Sequence, residues 1–374
     1  MRFTFKKNLS YLLAIIISTF LVGLIAVFFK VYFLDEKTFY DSTIILNGTL
    51  GNNVNVDSSY AFTINFYKFF NVFGLSSINE WSILISFVSS VFILLLVRKR
   101  IFNNISSIFF YFITVFLLNL FVFTISKDFI QFLIFLLIFI IIISRIKYRK
   151  KILLTFLIFV FEALFFRIYY GLVGCALVGI IVLTKLRWKT SIKVVFTLLL
   201  GFIGLFLVKN VLPSAYNSLV NIRFNTNQFR LDSADAQTLI LNLITFDNAN
   251  VFIFILNSII NLLRLIFPIE LLFKGSLTYF AFFVYQIFLE FEFLKIFILR
   301  KTFGKSGNLI IVIIISYFLV LSLFEPDFGS FLRHELTCVP LLFPFLSKIE
   351  FVTLKYSNNK HRFQIIKYKY KRKA

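Results

Sequence analysis

Two short stretches hold the residue types that proton transfer and phosphate recognition require. The first is Glu325-Pro326-Asp327-Phe328-Gly329-Ser330-Phe331-Leu332-Arg333-His334-Glu335. His334 titrates near neutrality and can take a proton from a hydroxyl. Arg333 offers a planar fork that matches phosphate oxygens. Gly329 permits a sharp turn, so Arg333-His334-Glu335 is expected to open the last apolar helix, whose N-terminus favours an anion. The second stretch is Asp35-Glu36, with Asp41 close behind, directly after a long apolar run. A carboxylate at a bilayer boundary is partly desolvated, which moves its proton affinity toward that of a working base. Two adjacent carboxylates also suit a divalent ion. Asp35, Glu36, Arg333 and His334 are therefore the candidate catalytic residues.

Three further stretches could contact a ligand. Glu162 and Arg167 lie inside the apolar run Phe161 to Tyr170, where an ionisable residue faces the protein interior or a wet cavity. Their spacing of five places them on different faces of a helix, so the i, i+4 ion pair is not available. Tyr169-Tyr170 suits an aromatic belt at the interface. Arg223 and Arg230, seven apart in a loop rich in Asn, Gln and Asp, share a face if that loop is helical. Asn257, Asn261 and Arg264 form a polar stripe that calls for a partner surface or a cavity. The expected substrate contacts are Arg167, Tyr170, Arg223, Arg230, Asn261, Arg264 and Glu335. Taken singly, each also fits a helix cap, a solvated loop or a structural pair. No metal ligand set is expected: Cys175 and Cys338 are far apart, and His334 and His361 are the only histidines.

The elements that must position these residues follow from composition. Of 374 residues, 60% are hydrophobic, 20% aromatic and 15% charged. Mean hydropathy is +0.92. A soluble domain carries about 25% charge, so a soluble enzyme, a disordered chain and a disulfide-stapled domain are excluded. The expectation is an all-α polytopic membrane protein with about ten spans of about 20 residues each. Apolar runs lie at 9–34, 82–97, 105–125, 129–144, 152–183, 194–212, 277–297, 309–324 and 336–345, the run 152–183 being long enough for a hairpin. The run 251–268 is read as a re-entrant or surface segment, because a further span would put the basic tail outside.

The net charge of +22 is distributed by side rather than by domain. With both termini cytoplasmic, Arg98–Arg100, Arg145–Lys151, Lys185–Lys193, Arg300–Lys305 and the tail fall inside, as the positive-inside rule requires. Asp35–Asn79 and Lys209–Asp247 become two long extracytoplasmic loops. The chain reads as one membrane domain over 1–350 and a basic cytoplasmic tail over 351–374. No basic stretch has a folded module around it, so nucleic acid is not an expected partner. The polar groups of interest gather at the outer face.

This layout resembles the bacterial O-antigen or capsule repeat-unit polymerases and the related GT-C-type membrane glycosyltransferases. Phe328 to Leu336 followed by Pro340 is similar to the last outer loop of such proteins, as are Phe166-Arg167-Ile168-Tyr169-Tyr170 and Arg264 to Glu270. Asp35-Glu36 followed by Tyr40 resembles the first-loop acidic motif of GT-C transferases, where a carboxylate serves as base or metal ligand. The resemblance implies polymerisation of polyprenyl-pyrophosphate-linked oligosaccharides at the outer face of the bacterial inner membrane, without a cofactor. It implies a lipid-linked oligosaccharide substrate in contact with membrane lipid, with a chain-length regulator and a flippase as partners. The alternative is a GT-C transferase using a polyprenyl-phosphate sugar, for which a divalent metal is possible. A lipid-linked glycan flippase stands third.

Overall fold

In the computed structural model the described residues are 2–34, 39–52, 54, 56–97, 105–189, 238–244 and 250–346, with scattered positions between 192 and 221. They form helices and their connections, with one isolated β-bridge between Leu239 and Asp327. In chain order the helices are α1 (Arg2–Phe33), α2 (Tyr40–Thr49), α3 (Ser58–Phe70), α4 (Ile78–Val97), α5 (Ile105–Phe121) and α6 (Lys127–Ile143). There follow α7 (Tyr148–Phe165), α8 (Tyr170–Lys185), α9 (Val251–Ile266), α10 (Leu277–Ile298), α11 (Gly304–Phe324), α12 (Phe328–Cys338) and the short α13 (Phe343–Leu346).

Among the described residues, three helical stretches are long and apolar enough to cross a membrane: Tyr11–Phe33, Ile78–Val97 and Gly304–Phe324. The segments Ile105–Phe121, Tyr170–Lys185 and Val251–Ile266 are apolar but shorter. At a rise of about 1.5 Å per residue, helices of this length fall just short of about 30 Å of hydrocarbon. α10 is long enough at 22 residues but carries Glu290, Glu292 and Lys295. The run 152–183 is a hairpin of α7 and α8 that turns at Phe166–Tyr169. The last helix begins at Phe328 rather than near Leu336 and breaks into a 3-10 turn at Val339–Leu342. The break falls where Pro340 cannot supply a backbone donor.

Between such apolar helices water-driven burial gives little preference, and close packing with interhelical hydrogen bonds holds them instead. α1 packs on α4 and α5 through small and polar groups. A Cβ added at Gly23 would sit 3.1 Å from Ser86 Oγ, and that hydroxyl donates to Asn119 Oδ1. Thr19 and Tyr111 share a hydrogen bond of 2.9 Å. On α4, Ser82, Ser86, Ser89 and Ser90 are all buried, which lets neighbouring backbones approach. α8 packs on α7 and α11, with Gly174 lying so close to Phe156 that a Cβ would meet its ring at 3.1 Å. α12 folds back from α11 onto α5 and α6.

One extended segment ties these layers together. Ile240 N donates to Pro326 O and Phe328 N donates to Thr238 O, so 238–240 pairs with the α11–α12 turn. On its other side α9 holds it, as described below.

Candidate functional site

The starts of α3, α6 and α12 are each fixed by a side-chain cap. Asp57 accepts from Tyr60 N, Ser126 from Phe129 N, and Asp327 from Ser330 N. Each cap satisfies a donor the helix would otherwise leave open. Tyr67 of α3 ties α3 to α6, donating to Ser126 O at 2.9 Å and accepting from Ser126 N at 3.0 Å. The α7–α8 turn and the α11–α12 turn lie at the same end. Charged side chains from all of these elements meet there.

His334 is the centre of the network. Its Nδ1 is hydrogen-bonded to Glu325 Oε1, and Glu325 is held by Ser330 Oγ at 2.6 Å. Its Nε2 lies 2.7 Å from Arg167 Nη1 and 3.3 Å from Asp128 Oδ1. A guanidinium has donors and no lone pair, so the short contact requires that Nε2 accept. The His334 proton then sits on Nδ1 and is donated to Glu325. This is the orientation in which a carboxylate holds a histidine for work as a base through its far nitrogen. Arg167 also donates to Tyr169 Oη at 2.9 Å and lies 3.7 Å from Asp128.

Burial would raise the Glu325 carboxyl, but the charge His334 carries when protonated, its hydrogen bond and that of Ser330 hold it below its ordinary value. Around this core, Arg333 Nη1 is 4.0 Å from Asp41 Oδ2, and Tyr60 donates its hydroxyl to Asp41. Burial and the Asp41 carboxylate raise the Tyr60 hydroxyl. Lys127 Nζ stands 3.4 Å above the Tyr60 ring. Phe39, Asp41, Thr124, Lys127, Asp128 and Arg333 line a narrow cleft with room for about one water. The cations Lys127, Arg167 and Arg333 face four carboxylates, Asp41, Asp57, Asp128 and Glu325, so the site is a mixed ion network rather than a positive patch.

The structure brings together Arg167, Arg333 and His334, from distant parts of the sequence. Asp35, Glu36, Arg223 and Arg230 lie outside the described residues. Tyr170 is fully buried, its hydroxyl 3.3 Å from that of Tyr317. Glu335 points away from His334 into the helix packing, where one oxygen accepts from Gln286 Nε2 at 3.1 Å and the other has no partner.

The stripe expected to line a cavity clamps the extended segment instead. Asn257 bonds both backbone groups of Ile244, and Asn261 donates to Asn242 Oδ1. Arg264 donates to Leu241 O and pairs with Glu270 through two nitrogens. The physical reason is local: the unpaired backbone of an extended strand offers these side chains acceptors and donors that no sequence window reveals.

Asp128 was missed because the apolar run it heads was read from Phe129. The run Ser126-Lys127-Asp128 is a cap followed by charge at the head of an apolar helix, which is a legible start signal. Glu325 and Asp41 stood in the motifs but were not given roles. Charged and amide groups also occur deeper than expected: Gln131, Glu162, Gln286, Glu292 and Glu335 are buried among the helices.

Fold and site together define an all-α protein of apolar, membrane-type helices with a buried histidine–carboxylate–arginine network at one end. No protein-family model, no curated protein and no solved structure matches the chain.

Proposed function

We propose that the protein is a membrane-embedded glycosyltransferase that polymerises polyprenyl-pyrophosphate-linked repeat units into surface polysaccharide, O-antigen or capsule. The observation that carries this reading is the Glu325–His334 dyad, with Nε2 directed at the Arg167–Asp128 pair. The basic residues Arg145, Lys147 and Arg149 to Lys151 stand at the opposite ends of α6 and α7, so the positive-inside rule assigns the site to the outer face of the inner membrane. About ten spans with cytoplasmic termini complete this topology.

In the transfer, His334 Nε2 takes the proton of the acceptor sugar hydroxyl. The hydroxyl oxygen bonds to the donor anomeric carbon, and the bond from that carbon to the pyrophosphate oxygen breaks. Arg167 and Arg333 stabilise the charge that develops on the leaving group. At rest Arg167 caps Nε2; an anionic leaving group that attracts Arg167 uncovers the base it needs. A flippase delivers the units and a chain-length regulator sets their number.

The test is deletion of the gene followed by complementation with His334→Gln or Arg333→Ala, with the glycan sized on a gel. Collapse of the ladder to a single repeat unit at normal protein level supports the reading. Wild-type chain lengths with His334→Gln would refute the base. A second reading as a lipid-linked glycan flippase draws on Gln131, Glu162, Gln286 and Glu335 within the helices. It requires that loss of the protein trap lipid-linked units on the inner side.

A further inference from the structure

Residues 35–79 read from sequence as a loop outside the membrane, yet α3 and the turn after it carry an apolar surface that water would not favour. α3 packs across the ends of α6 and α7 on the side of the ion network. Its Tyr67 ring meets Trp81, in the first turn of α4, at 5.2 Å, and its Phe62 meets Phe166, just past α7, edge to face at 5.9 Å. α4 is long and apolar enough to cross a membrane, so the Tyr67–Trp81 contact sets α3 at the level where such a helix leaves the hydrocarbon.

At about 100° per residue, α3 sorts its residues into three sides. Thr63 and Tyr67 are buried against the protein. Phe62, Phe66 and Phe70, each four apart, share a second side with Phe69 next to them. Their rings form one surface, with centroids 4.8 Å apart for Phe66 and Phe70 and 5.1 Å for Phe69 and Phe70. Asn65 and Lys68 are exposed on the third side. The apolar surface continues past the helix: Phe69 is 77% exposed, Val72 83% and Phe73 76%. A fixed turn presents them. Asn71 Oδ1 accepts from Leu75 N at 2.6 Å and Asn71 Nδ2 donates to Leu75 O at 3.1 Å. Gly74 supplies the left-handed conformation, at φ 65°, that closes the turn. The chain then enters α4 at Ile78.

An exposed apolar surface of this kind marks an interaction site, and its position identifies the partner. Along the chain it runs within a few residues into a membrane-crossing helix. Sideways, through Phe62 and Phe166, it joins the exposed apolar side of α7, which carries Phe161 and Phe165. A helix with a Phe-rich side and a polar side bearing Lys suits the boundary between headgroups and acyl chains.

We propose that α3 and the turn 71–75 form an interfacial anchor in the bilayer leaflet on the side of the ion network. Phe69, Phe70, Val72 and Phe73 enter the acyl region, and Lys68 stays at the level of the phosphates. Asp57 caps α3 and Tyr60 bonds Asp41, so the anchor also holds the ion network at headgroup depth. The anchor goes beyond the polymerase reading and does not depend on it.

The test is spin labelling of the full-length protein in vesicles of phosphatidylcholine and phosphatidylglycerol. Single labels are introduced through Asn65→Cys, Phe69→Cys or Phe73→Cys, with Phe161→Cys as the lipid-facing reference. Each of these positions is exposed, so labelling disturbs no buried packing. The exposed Cys175 is changed to Ser throughout, and the buried Cys338 is kept. Collision with oxygen, which concentrates in hydrocarbon, is compared with collision with a water-soluble nickel chelate. Labels at 69 and 73 should meet oxygen as the label at 161 does, about 5–10 Å below the phosphates. The label at 65 should meet nickel. Nickel access at 69 and 73 would return the turn to water and overturn the proposal. Low access to both reagents there would mean cover by protein, a second copy of this chain included, and would overturn it as well.

Discussion

Asp128 and Arg167 offer the sharpest test of whether the ion network is one cooperative unit. Their side chains are 7% and 14% exposed, so solvent screens them little. Removing one member of a buried pair costs about 3–5 kcal/mol when the other charge is stranded. Arg167→Met does not strand Asp128 fully, because His334 Nε2 remains 3.3 Å away and can take up a proton. The loss should therefore fall toward about 2–3 kcal/mol, just below that range. Asp128→Asn leaves Arg167 its acceptors on His334 and Tyr169, so about 1–2 kcal/mol is expected. The double variant removes both charges together and should be more stable than the sum implies, with a coupling of about 1–3 kcal/mol. The assay is reversible unfolding of the purified protein in mixed micelles, for all four members of the cycle. Additivity within about 0.5 kcal/mol would refute the network, because independent sites behave that way.

Other outcomes follow from single contacts. Glu325 is held below its ordinary carboxyl value, so its stabilising effect is complete above the ordinary range and is lost as pH falls through the lowered value. The melting temperature of the wild type should therefore converge on that of Glu325→Gln as the solution is acidified; a constant gap would exclude the linkage. Arg264→Ala should release the 238–244 segment at a cost of about 1 kcal/mol, since Glu270 is 41% exposed and its half of the pair is screened. Limited proteolysis should then cut within 238–244, and unchanged resistance would show that the clamp lies elsewhere. At Gly48 an added Cβ would sit 2.4 Å from Ile64 Cδ1, so Gly48→Ala should cost about 1–3 kcal/mol by overpacking α2 against α3. Ile64→Ala in the same chain should recover part of that loss, as read by thermal unfolding; a larger loss in the double variant would refute the clash.

Some features of this protein are settled by composition alone. With 60% hydrophobic and 15% charged residues the chain cannot cover a soluble surface, and in hydrocarbon its backbone can be satisfied only by helices or a closed barrel. The hairpin of α7 and α8 was legible because the run 152–183 is too long for one span and holds a polar interruption at Arg167. Arg167 was legible as a functional candidate because charge in an apolar run is costly enough to need a reason, and Arg333 and His334 because they follow a glycine turn where the last apolar helix opens. Their partners were not. That His334 faces Asp128, more than two hundred residues earlier, depends on α12 folding back onto α6, and helix packing between apolar faces leaves no periodic trace of which face meets which. Glu335 follows His334 in sequence yet points the other way, because successive residues on a helix diverge by about 100°. The stripe Asn257, Asn261 and Arg264 was correctly read as needing a partner. Only the tertiary structure showed that the partner is the chain's own extended backbone, since a strand's unpaired groups become acceptors only once folding has placed them beside α9.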